Sequence, residues 1–191
     1  MTRTERPRSR PTADVSVRIA WADDASAIGA LQVQAWQERY KDILPAELLT
    51  SLRPAELSEV WAQSISRPRD ARQRVLVALE RNIVHGFAAT APSTDPDANP
   101  AIDGEVAELE VESSARGRGH GSRLLHAAID TMRADNFTRA TVWLNSDNDA
   151  MRGFLAASGW APDGAYRELD LHGDGTVRVK QIRLHTDLTQ Y

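Results

Sequence analysis

From Val111 to Leu125 the chain reads Val-Glu-Ser-Ser-Ala-Arg-Gly-Arg-Gly-His-Gly-Ser-Arg-Leu-Leu, with Gly117, Gly119 and Gly121 at every second position. An apolar-alternating stretch precedes them and a helix-like stretch opening at Arg123 follows. The glycines therefore fall where a strand gives way to a helix, and there the backbone can bend sharply and bare its N–H groups. Such a turn at the positive end of a helix is an anion cradle, suited to a diphosphate. A triphosphatase loop would carry Lys after its last glycine, and none follows here. A dinucleotide fingerprint would place its third glycine one position later and follow an early strand, whereas this strand is mid-chain.

The strand leading into the cradle carries a second set of chemical groups, Glu105, Glu108, Glu110 and Glu112. Strict period-two alternation puts the last three on one face and Glu105 on the other. Carboxylates on a central strand need water or a partner, so that face should border a wet cleft.

The elements that must position these groups follow in order. A strand over 15–20 leads to a helix over 25–36, capped by Asp23 or Asp24, with Ile28, Leu31, Ala35 and Trp36 on one face. A short helix begins near Pro45, and another over 55–64 presents Leu57, Val60 and Trp61. Strands over 74–80 and 83–90 form a hairpin about Arg81-Asn82. Residues 91–104, which hold Pro92, Pro96, Pro100, Asp95 and Asp97, read as a long loop. After the cradle helix come a strand over 138–145, a helix capped by Asp147 or Asn148 and closed by Gly159, and a second hairpin of 166–171 and 176–185 about His172-Gly173-Asp174-Gly175. Hairpin-paired strands with helices inserted between them imply an α/β (α+β) domain: a mixed, largely antiparallel sheet of about six to seven strands with helices on both faces.

A chain of 191 residues fits one domain over 15–191, and residues 1–14, rich in Arg and Pro, read as a disordered basic tail. The net charge is −4; the tail is locally basic, leaving about −6 on the remainder and disfavouring a nucleic-acid-binding body. No apolar run suits a membrane span and no secretory leader is legible, so a cytoplasmic location is expected. Without cysteine there is no disulfide, thiolate nucleophile or Cys-ligated zinc, and the five histidines form no metal-ligand cluster, so no metal is proposed. The composition leaves a homodimer open.

The cradle sequence, as Arg116-x-x-Gly119-x-Gly121, resembles the cofactor motif of the GNAT (GCN5-related) N-acetyltransferase superfamily, which uses acetyl-CoA. Asn148 followed by Phe154, Gly159 and Trp160 resembles the family's second pattern. Trp36, Tyr40, Ile43-Leu44-Pro45 and Leu48 resemble its substrate-side helices. The likeness spans about residues 15–185. It implies that backbone N–H groups of Gly117, Gly119, His120, Gly121 and Ser122 hold the CoA diphosphate, with charge from Arg116 and Arg118. It further implies that Leu109, Glu110 and Val111 pair with the pantetheine arm, that Asn148 and Phe154 contact the cofactor, and that Trp36 and Tyr40 line the acceptor site.

The implied reaction is transfer of acetyl from acetyl-CoA to a primary amine of a small molecule or peptide by direct attack. A lysine-like amine, with a reference pKa near 10.4, arrives protonated, so a base must take its proton. Glu105 stands where several members carry a base glutamate, and Glu108 and Glu110 are the rivals, acting directly or through water. The family's general acid is a Tyr directly after the position of Phe154, where this chain has Leu155; Tyr40 or Tyr166 are the phenols left to serve. Leu155 also leaves open a catalytically weak acyl-CoA-binding or regulatory module, and the cradle alone leaves open an unrelated nucleotide-phosphate binder.

Overall fold

The computed structural model describes residues 15–171 and 173–189. The predicted tail, residues 1–14, and His172 of the predicted second turn lie outside the described residues. Seven strands form one sheet: β1 (Val15–Ile19), β2 (Arg74–Glu80), β3 (Ile83–Pro92), β4 (Asp103–Val111), β5 (Arg139–Asn145), β6 (Ala161–Asp170) and β7 (Arg178–Asp187), in the order β1-β2-β3-β4-β5-β7-β6. All neighbours pair antiparallel except β4 and β5. The helices are α1 (Ala25–Tyr40), α2 (Ala46–Ser51), α3 (Pro54–Ser66), α4 (His120–Ala134) and α5 (Asp149–Ala157). Among the described residues no helix is long and apolar enough to cross a membrane.

Two cores follow from alternation along the strands. On β2, Leu76 and Ala78 face α4 and α5, joining Leu124, Leu125, Ala128 and Leu155, while Val75, Val77 and Leu79 face α1 and α3, joining Ile28, Leu31 and Trp61. The sheet is thus sandwiched by helices, as the unbroken apolar run over 75–79 of β2 requires. Val60, expected on the apolar side of α3, is exposed; Ala62 and Ile65 pack there instead with Leu57 and Trp61. The first hairpin turns on Arg81 and Asn82, both at positive φ, the geometry of a two-residue turn that matches strand twist. Strand β6 begins at Ala161, five residues earlier than its alternation suggested, because Ala161 and Pro162 resume pairing with β7 across a register shift.

Two departures from regularity build the site. The first is a bulge in β4: Ala89 faces Glu108 and Thr90 faces Val106, so Ala107 is an extra residue without a counterpart. Val106 and Leu109 both enter the α4-side core, three positions apart. Consequently Glu105, Glu108 and Glu110 share the opposite face, correcting the expectation that Glu105 lies across the sheet from the others. The second is the parting of β4 from β5, which pair only from Asp103↔Arg139 to Glu105↔Thr141. Beyond Glu105 the two strands splay, and a wedge of space opens between them.

The segment 93–102, predicted as a loop, is pinned beside this wedge. Arg183 of β7, 4% exposed, donates from Nη1 to Asp95 Oδ2 at 2.9 Å and from Nε to Asp163 Oδ2 at 2.8 Å. It also grips Asp97 in a two-pronged pair, at 2.7 and 2.5 Å. That hydrogen-bonded guanidinium holds the Asp97 carboxyl down to about 2. Trp143 Nε1 donates to Asp95 as well, at 3.0 Å. Removing one member of such a buried ionic cluster strands the rest, so Arg183→Met is expected to cost about 3–5 kcal/mol. A urea titration measures this, and a cost under about 1 kcal/mol would mean that the loop is held by other contacts.

Candidate functional site

The backbone at the end of β4 builds the cradle. Gly117 (φ +76°) and Gly119 (φ +84°) occupy left-handed conformations, and Gly119 is the residue from which α4 starts. These two glycines are required by conformation. Gly121 is not: its φ is ordinary, and a Cβ there would sit 3.7 Å from Phe154 and Val111, normal contact. Its bareness is needed by neither backbone nor packing, and it faces open space. That space is a cavity of about 740 Å³ walled by Gly117, Gly119, Gly121, Ser122, Val111 and Phe154. The free first-turn N–H groups of α4 and the positive end of its dipole lie along this wall.

A second cavity, of about 530 Å³, fills the splay between β4 and β5 and runs under α2. Glu105, Glu108 and Glu110 line one wall; Trp36, Tyr40, Leu48 and Leu171 line others. The two cavities share Arg39, Leu109, Glu110, Asn145, Asn148 and Met151, so they meet at the end of the splayed strands. A molecule lying along the cradle would reach this junction with its far end.

The three glutamates stand in different environments. Glu110 is 6% exposed and ion-paired with Arg39 through Oε1. Glu108 accepts a hydrogen bond from Gln32 Nε2 at 3.2 Å, and Gln32 in turn accepts from Trp61 Nε1 at 2.7 Å. Burial raises the Glu108 pKa, with Arg39 and Gln32 opposing the shift. Glu105 is also raised, first by burial and then by the Asp95 charge, against Arg167 and Arg183. Among the described residues no side chain hydrogen-bonds to Glu105. A half-buried carboxylate with free lone pairs and a raised pKa is suited to accept a proton.

The sequence matches the acetyltransferase (GNAT) family over residues 18–160. The chain belongs to that family. A curated relative, the uncharacterised N-acetyltransferase YuaI of Bacillus subtilis (strain 168), is 25% identical over 171 residues, covering 89% of this chain and 91% of YuaI. Among solved structures, YncA of Salmonella typhimurium, described as a putative acetyltransferase with its cofactor acetyl-CoA, superposes with a TM-score of 0.69 at 18% identity, over 94% of this chain and 96% of YncA. The PaiA N-acetyltransferase of Thermoplasma acidophilum, in complex with coenzyme A, gives 0.70 at 15% identity, over 91% and 98%. These likenesses establish the GNAT fold for the chain: a seven-stranded mixed sheet with the central pair splayed.

The GNAT loop residues come together largely as their order implies, but several side chains have other employment. Arg116 crosses to α1, donating to Glu38 at 2.8 and 3.2 Å and to the Val111 carbonyl. Arg118 points away from the cradle to pair with Glu80 and does not line the cavity. His120 offers the cradle only its backbone: its ring is 1% exposed and stacks on His85 at 5.5 Å between centroids. Its Nε2 lies 3.3 Å from Glu80 Oε2, off line for a hydrogen bond. Burial lowers the His120 pKa, with Glu80 opposing. Charge at the cradle therefore comes from N–H groups and helix dipole more than from arginines.

Asn148 caps α5, its Oδ1 accepting from Met151 N at 3.0 Å, which leaves its Nδ2 as a donor at the junction. Leu155 is fully buried in the α4-side core and Tyr166 is 69% exposed and lines neither cavity, so of the phenols considered only Tyr40 borders the site. Sequence reading missed Arg39, Gln32, Asn145, Arg167 and Asp95. Only Gln32 left a signal, a polar residue on the same helical face as Ile28 and Leu31; the others are brought in by tertiary contact.

Proposed function

We propose that this GNAT-family acetyltransferase moves acetyl from acetyl-CoA to a primary amine of a small molecule or peptide. The observation that carries the proposal is the meeting of two cavities at the splay of β4 and β5, one with a bare anion cradle, the other with an acidic wall. The CoA diphosphate lies on the N–H groups of residues 117–122, the pantetheine arm runs along Leu109, Glu110 and Val111, and Asn148 and Phe154 hold it from α5. Solved relatives in complex with acetyl-CoA or CoA support this assignment.

In the proposed reaction the amine enters beside Glu105, which takes its proton directly or through water. The neutral nitrogen attacks the thioester carbonyl; as the carbonyl re-forms and the C–S bond breaks, the nitrogen gives up its second proton, a proton passes to the departing thiolate, and CoA leaves as the thiol. Glu108, held by Gln32, and Glu110, held by Arg39, shape the charge around that step. Tyr40, Asn148 Nδ2 and water are the proton or hydrogen-bond donors near the departing sulfur. A free-thiol assay over an amine panel with acetyl-CoA tests the reading: amine-dependent thiol release supports it. Tight acetyl-CoA binding with no release for any amine would favour a non-catalytic acyl-CoA module, the reading that Leu155 keeps in play.

We also hold that residues 15–191 act as a single domain. Removing residues 1–14 is then expected to leave the melting temperature, with and without acetyl-CoA, within about 1 °C of the full chain. A large loss would assign the tail a structural role.

A further inference from the structure

We infer that the acceptor is a monoamine on an apolar body, a single primary ammonium followed by a hydrocarbon or aromatic portion, and not a polyamine or aminoglycoside. The inference rests on the acceptor cavity proposed above and names what that cavity selects.

The carboxylates at the glutamate wall all belong to β4, close to the junction with the cofactor cavity. Two of the three are already engaged, Glu110 by Arg39 and Glu108 by Gln32, which leaves Glu105 to receive one ammonium. Away from β4 the lining changes character. Trp36 and Tyr40 from the last turns of α1, Leu44 and Leu52 flanking α2, Leu48 on it, and Leu171 after β6 form one contiguous apolar wall. Trp36, Leu44, Leu48, Leu52 and Leu171 are half-buried, so part of each side chain remains available to a ligand.

Along the apolar wall a second ammonium would meet no carboxylate among the described residues, and beyond the glutamates the cavity lining holds one more, Asp170. Asp170 is exposed at the rim, away from the apolar wall, and is held by the turn that follows, accepting from the Gly173 and Gly175 N–H groups at 2.8 and 2.7 Å. Arg167, which lines the same cavity, stacks over Trp143 at 4.3 Å and donates to Gln181, placing a fixed positive charge on that side. A polycation would have to bury an ammonium against leucines or beside a guanidinium, and both are unfavourable. The volume, about 530 Å³, suits a small ligand whose apolar part fills the wall.

The test titrates the CoA-saturated full chain with n-butylamine, n-hexylamine and 1,6-diaminohexane, following binding by calorimetry, and runs the same amines with acetyl-CoA for thiol release. Affinity is expected to rise about fourfold per methylene from butyl to hexyl. Hexylamine, which has the diamine's six-carbon chain without the second ammonium, should bind at least tenfold more tightly than it. Leu48→Glu, which puts a carboxylate on the apolar wall, should shift the preference toward the diamine, a gain that misfolding cannot mimic. Leucinamide against a tetrapeptide beginning with Leu separates a small-molecule from a peptide source of the same chemistry. Equal or tighter binding of the diamine, no dependence on chain length, or no amine binding would each overturn the inference. A clear chain-length series without thiol release would uphold it and overturn the transfer reaction instead.

Discussion

Gly121→Asp is expected to fold normally and to lose acetyl-CoA. The substitution separates two reasons for glycine in a phosphate loop, because Gly121 has an ordinary φ and its added Cβ would meet Phe154 and Val111 at 3.7 Å, without collision. Gly121 is also the second residue of α4, where a negative side chain interacts favourably with the helix dipole by about 0.3–1 kcal/mol. The melting temperature without ligand should therefore stay level or rise. In the cavity the same carboxylate would occupy the place proposed for the diphosphate and compete for its N–H groups. Charge-assisted hydrogen bonds are worth roughly 1.5–3 kcal/mol each, so losing two of them weakens acetyl-CoA by about 100-fold or more. Thermal-shift titration reads both quantities. A preserved acetyl-CoA shift would remove the diphosphate from the cradle. Gly119→Val should lose the shift too, but with a lower melting temperature, since its φ of +84° is strained for valine.

Glu105→Gln is expected to lower kcat by about 100-fold or more, the usual contribution of a positioned base. The pH profile should change with it. Burial and Asp95 raise the Glu105 pKa, so in the parent chain activity climbs with pH as the carboxyl ionises, and that acidic limb should vanish in the variant. Stability moves the other way. A raised folded-state pKa means that folding favours protonated Glu105. That stabilisation is complete below the ordinary glutamate range and is lost as pH climbs through the raised value. Glutamine removes the titration, so at pH 8 the variant should melt higher than the parent, and the gap should close toward pH 4. Glu108→Gln can still accept from Gln32 and should cost less than about tenfold in kcat. An unchanged pH profile in Glu105→Gln would pass the base role to Glu108 or to water.

The parts of this fold written in local pattern are readable in the sequence. Apolar alternation marks β2 and the approach to the cradle, Arg81-Asn82 marks the hairpin, and the glycine spacing marks the loop, because each depends on residues adjacent in the chain. Single-residue events across strands were not readable. The bulge at Ala107 reverses the facing of Glu105, yet nothing in Glu-Val-Ala-Glu signals it, since a bulge is set by the partner strand's register. Charge partners were invisible for the same reason. Arg116 and Arg118 look like phosphate ligands beside glycines, and only tertiary contact with Glu38 and Glu80 turns them aside. Asp95, in a segment that reads as a plain loop, comes beside the site because Arg183 pulls it there from 88 positions away.

Two cavities meet where β4 and β5 part, and we propose that one takes the acyl donor and the other its acceptor. The most direct test is steady-state release of free CoA from acetyl-CoA by the full chain, with the acetylated amine quantified by mass spectrometry. Saturable release that depends on a primary amine, matched mole for mole by N-acetylated product and lost in Gly121→Asp, is the predicted result. Tight acetyl-CoA binding with no amine-dependent release across alkyl, aromatic and peptide amines would contradict it.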